Sequence, residues 1–228
     1  MRKLSIYLTT FFISILLFLT ITGKIQEYIP LFVTIVVLAI LILSYMYFEK
    51  SAMGTKEIAV IATLSAFAGV GRAIFAFAPG VQPTTFIVAI SGFVFGPYEG
   101  FLVGSTAAFI SNIFLGQGPW SPWQMFGWGI VGVISGIIGK ARANISVEKF
   151  SVICFLYGFL FDWIMNLWHV LGYIRPLTLK SIISAYALGL TFDVLHAISN
   201  FLFSMIFFER LVRVLRRFKR RLEITYIR

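Results

Sequence analysis

Long apolar runs, separated by short charged or turn-rich segments, divide the chain into eight predicted spans: residues 4–22, 29–48, 57–76, 83–96, 98–115, 122–139, 149–170 and 182–208. Most approach the ~20 residues that cross a bilayer as a helix; 83–96 is short for a complete crossing. The separators "GKIQEY", "EKSAMGTKE", "KARANISVEK" and "RPLTLK" carry much of the charge between them. The pattern predicts an all-α polytopic membrane protein. "FEKSAMGTKE" divides an N-terminal two-helix hairpin (1–50) from a six-helix core (51–209), and a basic amphipathic tail (210–228) follows. The first run comes after "MRK", but it is long for a signal-peptide core and lacks an A-x-A cleavage site. It reads as a retained helix.

Composition supports this class. Hydrophobic residues make up 59% of the chain and charged residues 12%, too few charges to cover the surface of a soluble domain of this length. An even number of spans puts both termini on one side. With the termini cytoplasmic, fifteen of the 19 Lys and Arg fall inside, Lys24, Arg175 and Lys180 fall outside, and Arg72 lies within a span. The positive-inside rule selects that orientation. The net charge of +10 comes mostly from "ERLVRVLRRFKRRLEITYIR", where Leu211, Val212, Val214, Leu215, Phe218 and Leu222 share a helical face largely opposite the cations. That suits a helix lying on an anionic inner leaflet; nucleic acid is not implied, because basic cytoplasmic flanks are usual in membrane proteins.

Several chemistries lack their motifs. There is no P-loop, no H-E-x-x-H, no G-x-S-x-G and only one cysteine, Cys154, so uphill movement of a solute would need an ion gradient or a partner. Polar groups inside spans are costly unless paired, and they cluster. Arg72 lies in the outer third of its span. Asp162, Asn166 and His169 share one helical face by their spacing, as do Asp193, His196 and Asn200. The first trio faces the outer half, where Asp162 could form an interhelical ion pair with Arg72 or line a pocket. His196 and Asn200 fall below the midplane, which assigns the second trio to structure or partner coupling. A proton or cation relay and an intramembrane enzyme using Asp162, His169, Asp193 and His196 are further readings.

Small residues mark close packing at Gly132 and Gly136 and at Ala62 and Ala66. The outer loop "GQGPWSPWQMFGWG" (116–129) predicts a capping box, with Ser121 as N-cap, Pro122 next and Gln124 three residues on. Trp120, Trp123 and Trp128 exceed what an interfacial aromatic belt requires. A second uncharged aromatic loop, "FAFAPGVQPTTF", faces the same side, and the two suit the walls of a ligand site.

The stretch from residue 69 to 139, with GRAIF before the Pro-Gln-Pro loop, "FGPYEGFLVG", "SNIFLGQGPW" and "PWQMFGWG", resembles the substrate-binding S components of energy-coupling factor transporters. The resemblance implies a six-helix membrane protein that captures a vitamin from outside and hydrolyses no ATP. It would dock on a T component carrying two ATPase subunits, through small residues that Ala62 and Ala66 match. Substrate would sit under loops 77–83, 116–122 and 171–181. The implied binding residues are Arg72, Phe75, Gln82, Asn112, Gln117, Trp120, Trp123, Gln124, Trp128, Asp162, Asn166 and His169, with no catalytic residue, resident metal or cofactor. "GQGPW-PWQMFGWG" looks most like the cobalamin branch; riboflavin and a queuosine precursor are alternatives. The N-terminal hairpin departs from the six-helix pattern and could cover the docking face.

Overall fold

A computed structural model describes residues 25–51 and 53–226. Among these are seven α-helices and no strand: α1 Ile25–Lys50, α2 Thr55–Ile74, α3 Thr84–Phe95, α4 Pro97–Leu115, α5 Ser121–Ala141, α6 Val147–Tyr173 and α7 Leu179–Tyr226. The chain is therefore an all-helical bundle, and α1, α2, α5, α6 and α7 are each long and apolar enough to cross a membrane. The expected span 4–22 lies outside the described residues.

The short run 83–96 becomes the centre of the bundle. At ~1.5 Å per residue the twelve residues of α3 rise only ~18 Å, well short of a ~30 Å hydrocarbon core. Every side chain from Thr84 to Val94 is buried, with α2, α4, α5, α6 and α7 packed around it. Its all-round apolarity reflects burial in protein. Gly96 turns the chain into α4 at φ +137°, a conformation open to glycine and strained for other residues. α5 crosses α4 so closely that a Cβ on Gly132 would stand 2.1 Å from the Gly100 carbonyl oxygen. The Gly132–Gly136 pair thus packs the interior.

α1 settles against α5 and α6. Val37 and Leu41 form a buried cluster with Phe101, Trp123 and Leu171; Tyr45 Oη lies 3.0 Å from Ser105 Oγ and 2.9 Å from Thr106 Oγ1. Among the described residues, one face of α2 is left open: Ala62 and Ala66 are exposed, beside exposed Ile58, Phe67 and Val70.

The C-terminal segment departs from the separate in-plane helix that its amphipathic pattern predicts. α7 runs unbroken for 48 residues, roughly 72 Å. No Gly or Pro interrupts it after Gly189, and Leu211, Val212 and Leu215 carry the core packing onward. Lys219 Nζ donates to the Val94 carbonyl at 2.8 Å, and Arg216 Nη2 donates to the Ala143 carbonyl.

Candidate functional site

A cavity of about 530 Å³ opens among the loop after α2, the end of α4 and the facing sides of α5, α6 and α7. Arg72, Phe75, Gln82, Gln124, Asp162 and Asn166 line it, together with Phe161, Phe192 and Asp193. It reaches deep into the bundle. Asp162 lies eleven residues back from the end of α6 and Asp193 fourteen past the start of α7, on the order of 16 and 21 Å along their helices. Helix spacing explains the meeting: Asp162 and Asn166 are one turn apart on α6, and α7 supplies Asp193, whose Oδ2 accepts from Asn166 Nδ2 at 3.4 Å.

The polar groups form one linked set. Arg72 Nη1 donates to Ser111 Oγ and Asn112 Oδ1, both at 2.8 Å, and its guanidinium stands 5.1 Å over the Trp128 ring, a cation–π distance. Asn112 Nδ2 donates to Gln124 Oε1 at 2.7 Å and to Ser121 Oγ at 3.1 Å. Trp128 stacks on Phe161 with centroids 3.9 Å apart, and its Nε1 donates to Thr85 Oγ1 at 2.9 Å. Thr85 Oγ1 and Gln82 Nε2 lie 3.0 and 3.1 Å from His196 Nε2. On the other side of the ring, His196 Nδ1 is 2.9 Å from Asp162 Oδ2. With Gln82 Nε2–H and Thr85 Oγ1–H donating to Nε2, the ring proton sits on Nδ1 and is donated to Asp162.

This corrects the expected partner of Asp162. Its partner is His196, through a hydrogen bond from the imidazole, the one His–carboxylate contact among the described residues. Arg72 instead uses neutral oxygens and an aromatic face. The second trio also lies elsewhere than its depth implied: Asp193 lines the cavity, and His196, fully buried, backs it. On the α7 side the cavity reaches Asp193, fourteen residues past the start of that helix. Asn200 is buried one turn further along α7.

The remaining expected residues lie off the cavity lining. Asn112 and Trp128 are buried behind Arg72 and support it. Trp123 is turned toward α1 in the cluster with Val37, Leu41 and Phe101. Trp120 meets Trp168 edge to face at 6.3 Å. Gln117 is exposed, and its Nε2 donates to the Phe109 carbonyl at 3.0 Å. His169 is exposed and stacks on Tyr173 at 5.6 Å. No group of three His, Cys, Asp or Glu among the described residues could hold a metal ion.

The predicted capping box takes another form. Trp120 occupies the N-cap of α5, and Ser121 and Pro122 open the helix. Ser121 Oγ turns back toward the preceding loop, donating to Gln117 Oε1 at 2.8 Å and accepting from the Gly118 amide at 3.1 Å. Gln124 is drawn to Asn112 rather than to the helix start, because the buried amide of Asn112 needs acceptors.

The arrangement can hold a ligand by three means. Phe75, Phe161 and Phe192 offer ring faces or edges, the Arg72 guanidinium donates to acceptors, and the two carboxylates accept from N–H or O–H groups. Such a cavity inside a helical membrane bundle is a candidate ligand site. Sequence comparison makes this specific. The family described as "ECF-type riboflavin transporter, S component" matches residues 52–217, and the chain belongs to that family, one of transporter components rather than enzymes. Among curated relatives, a UPF0397 protein of Vibrio atlanticus is 32% identical over 94 residues, covering 39% of this chain and 51% of the relative. A UPF0397 protein of Aliivibrio salmonicida is 33% identical over 103 residues, 42% of this chain and 56% of the relative. The chain spans about half the length of the curated relatives it matches. No solved structure matches.

Proposed function

We propose that this chain is the substrate-capturing membrane subunit of an energy-coupling factor transporter, taking up a vitamin-sized flat heterocycle from outside the cell. The cavity carries this reading: about 530 Å³, with one guanidinium, two carboxylates and three phenylalanines in its lining. That volume falls in the roughly 300–1,000 Å³ range of sites for ligands of drug size. Cobalamin, the expectation from "GQGPW-PWQMFGWG", is larger than this cavity and would require the loops to move apart. A flavin, with a planar ring bearing donors and acceptors and a hydroxylated chain, suits both size and lining. Family membership supports the same choice.

The charge bias supports cytoplasmic termini, which put the cavity on the outer side and the basic end of α7 at the anionic inner leaflet. The partners are a T component and two ATPases, since the chain has no nucleotide-binding loop of its own. Docking uses the open face of α2 at Ala62 and Ala66, and α1 leaves that face free by packing on α5 and α6.

The test is the absorption spectrum and mass of the small molecule that copurifies with the protein. A yellow, fluorescent preparation supports a flavin. A red preparation with a corrinoid spectrum would restore cobalamin, and a deazaguanine mass would favour the queuosine precursor. Protein that carries no ligand and binds none of the three when offered would overturn the capture role.

A further inference from the structure

At the opposite end from the substrate cavity, α7 continues past the bundle and closes a second, smaller cleft of about 280 Å³ against the α3–α4 turn and the last turn of α5. Its apolar lining comes from Phe93, Val94 and Phe95. Its cations come from two elements: Lys140 on α5, and Arg216, Lys219 and Arg220 on α7. Two of them are fixed in place by neutral oxygens: Lys219 Nζ at the Val94 carbonyl, 2.8 Å, and Arg216 at the Ala143 carbonyl. Arg216 also stands 6.0 Å over the Phe93 ring. Among the described residues no carboxylate lies within ion-pair distance of these four cations. Glu99 stands over Gly96 beside Lys140 and offsets part of the charge of Lys140 and Lys219; four cations against this carboxylate leave the cleft net positive.

A neighbouring cavity makes a useful contrast. It shares Arg216 and Arg220 and adds Arg213, but Glu148 and Glu209 also line it, so its cations are largely offset. The cleft beside Lys140 keeps a net positive charge, four cations against Glu99, together with an apolar wall.

We propose that this cleft binds the phosphate of an anionic phospholipid headgroup, with Lys140 and Arg220 as its adjustable ligands and Phe93, Val94 and Phe95 against the glycerol and upper acyl chains. Clustered Lys and Arg at a membrane interface attract anionic headgroups, and guanidinium and ammonium groups are effective phosphate donors. A soluble phosphate could use the same cations, but it would gain nothing from the phenylalanine wall. The amphiphilic lining is what favours a lipid. The site does not depend on the proposed substrate, and it differs from diffuse attraction along the tail because Lys140 lies 76 positions before Arg216 in the sequence.

The experiment is native mass spectrometry of the full chain in mixed micelles, titrated with phosphatidylglycerol, phosphatidylcholine or glycerol 3-phosphate. The expected result is one tightly bound phosphatidylglycerol, retained about tenfold less well in the Lys140→Gln/Arg220→Gln variant. The Arg210→Gln/Arg217→Gln variant, with the same change of charge outside the cleft, should retain it as the native chain does. Equal loss in both variants would replace the site with diffuse attraction, and equal retention of phosphatidylcholine would overturn headgroup recognition. Competition by glycerol 3-phosphate at comparable concentration would overturn the lipid assignment. Circular dichroism of each variant identifies loss through misfolding; should Lys140→Gln/Arg220→Gln misfold, the single variant Arg220→Gln must still lower retention of phosphatidylglycerol, and unchanged retention there would overturn the site.

Discussion

His196 Nδ1 lies 2.9 Å from Asp162 Oδ2, joining α7 to α6 at the inner wall of the cavity. The imidazole is fully buried, so it acts on a ligand through the cavity-lining side chains it orients, Asp162 and Gln82. Its other nitrogen holds Gln82 and Thr85, which makes it the meeting point of α3, α6, α7 and the loop after α2. Replacing His196 with Ala should cost about 3 kcal/mol of stability, because a buried carboxylate loses its partner. Thermal unfolding in detergent checks this; a melting temperature within one degree of the native chain would remove His196 from that role.

Arg72 is held by Ser111, Asn112 and the face of Trp128. A lysine keeps the charge but loses the planar fork that bonds two oxygens while lying on a ring. Arg72→Lys should therefore weaken ligand binding roughly tenfold, about 1.4 kcal/mol, with little change in expression. If Arg72→Lys binds as the native chain does, only the charge of Arg72 matters.

The tryptophans of the outer loop separate by environment. Trp123 fills a cluster with Val37, Leu41 and Phe101, and Trp123→Ala should cost about 3–5 kcal/mol of stability. Trp120 packs on Trp168 away from the cavity lining, so Trp120→Ala should leave ligand affinity within about twofold, well under the roughly 1–3 kcal/mol that a stacked aromatic contact with ligand would contribute. Equilibrium binding and unfolding on the same two variants tell these effects apart, and a large affinity loss in Trp120→Ala would place that ring on the ligand.

Ala62 and Ala66 are exposed on α2. Bulky residues there, such as Ala62→Trp with Ala66→Trp, should leave folding and ligand binding unchanged. Uptake by vesicles containing the T component and ATPases should fall by more than tenfold. Parallel loss of binding and uptake would make the pair part of the fold instead.

Much of this architecture was legible in the sequence. Apolar runs marked α1 to α6 to within about four residues at each end, and the face shared by Asp162 and Asn166 followed from α-helical spacing. The fate of 83–96 was less accessible, since a run buried in protein and a run facing lipid read alike. Side-chain direction in the loop was harder still. Trp120, Trp123, Gln117 and Gln124 lie within eight residues, yet only Gln124 lines the cavity. The tilt of α5 and its contact with α1 decide that, and neither follows from local pattern. Asp193 was assigned away from the site because depth was counted from a helix end, whereas α7 packs beside α6 so that Asp193 meets Asn166 at the cavity wall. The continuous α7 had a local signal, the absence of Gly and Pro after residue 189, outweighed there by its amphipathic charge pattern.

The most direct measurement is equilibrium binding of the copurifying ligand to the purified native chain, to Asp193→Asn and to His169→Ala. Asp193 lines the cavity, whereas His169 is exposed and stacked on Tyr173. The cavity as capture site predicts at least tenfold weaker binding in Asp193→Asn and native affinity in His169→Ala. Native affinity in Asp193→Asn with loss in His169→Ala would move the ligand out of the cavity and contradict the central claim.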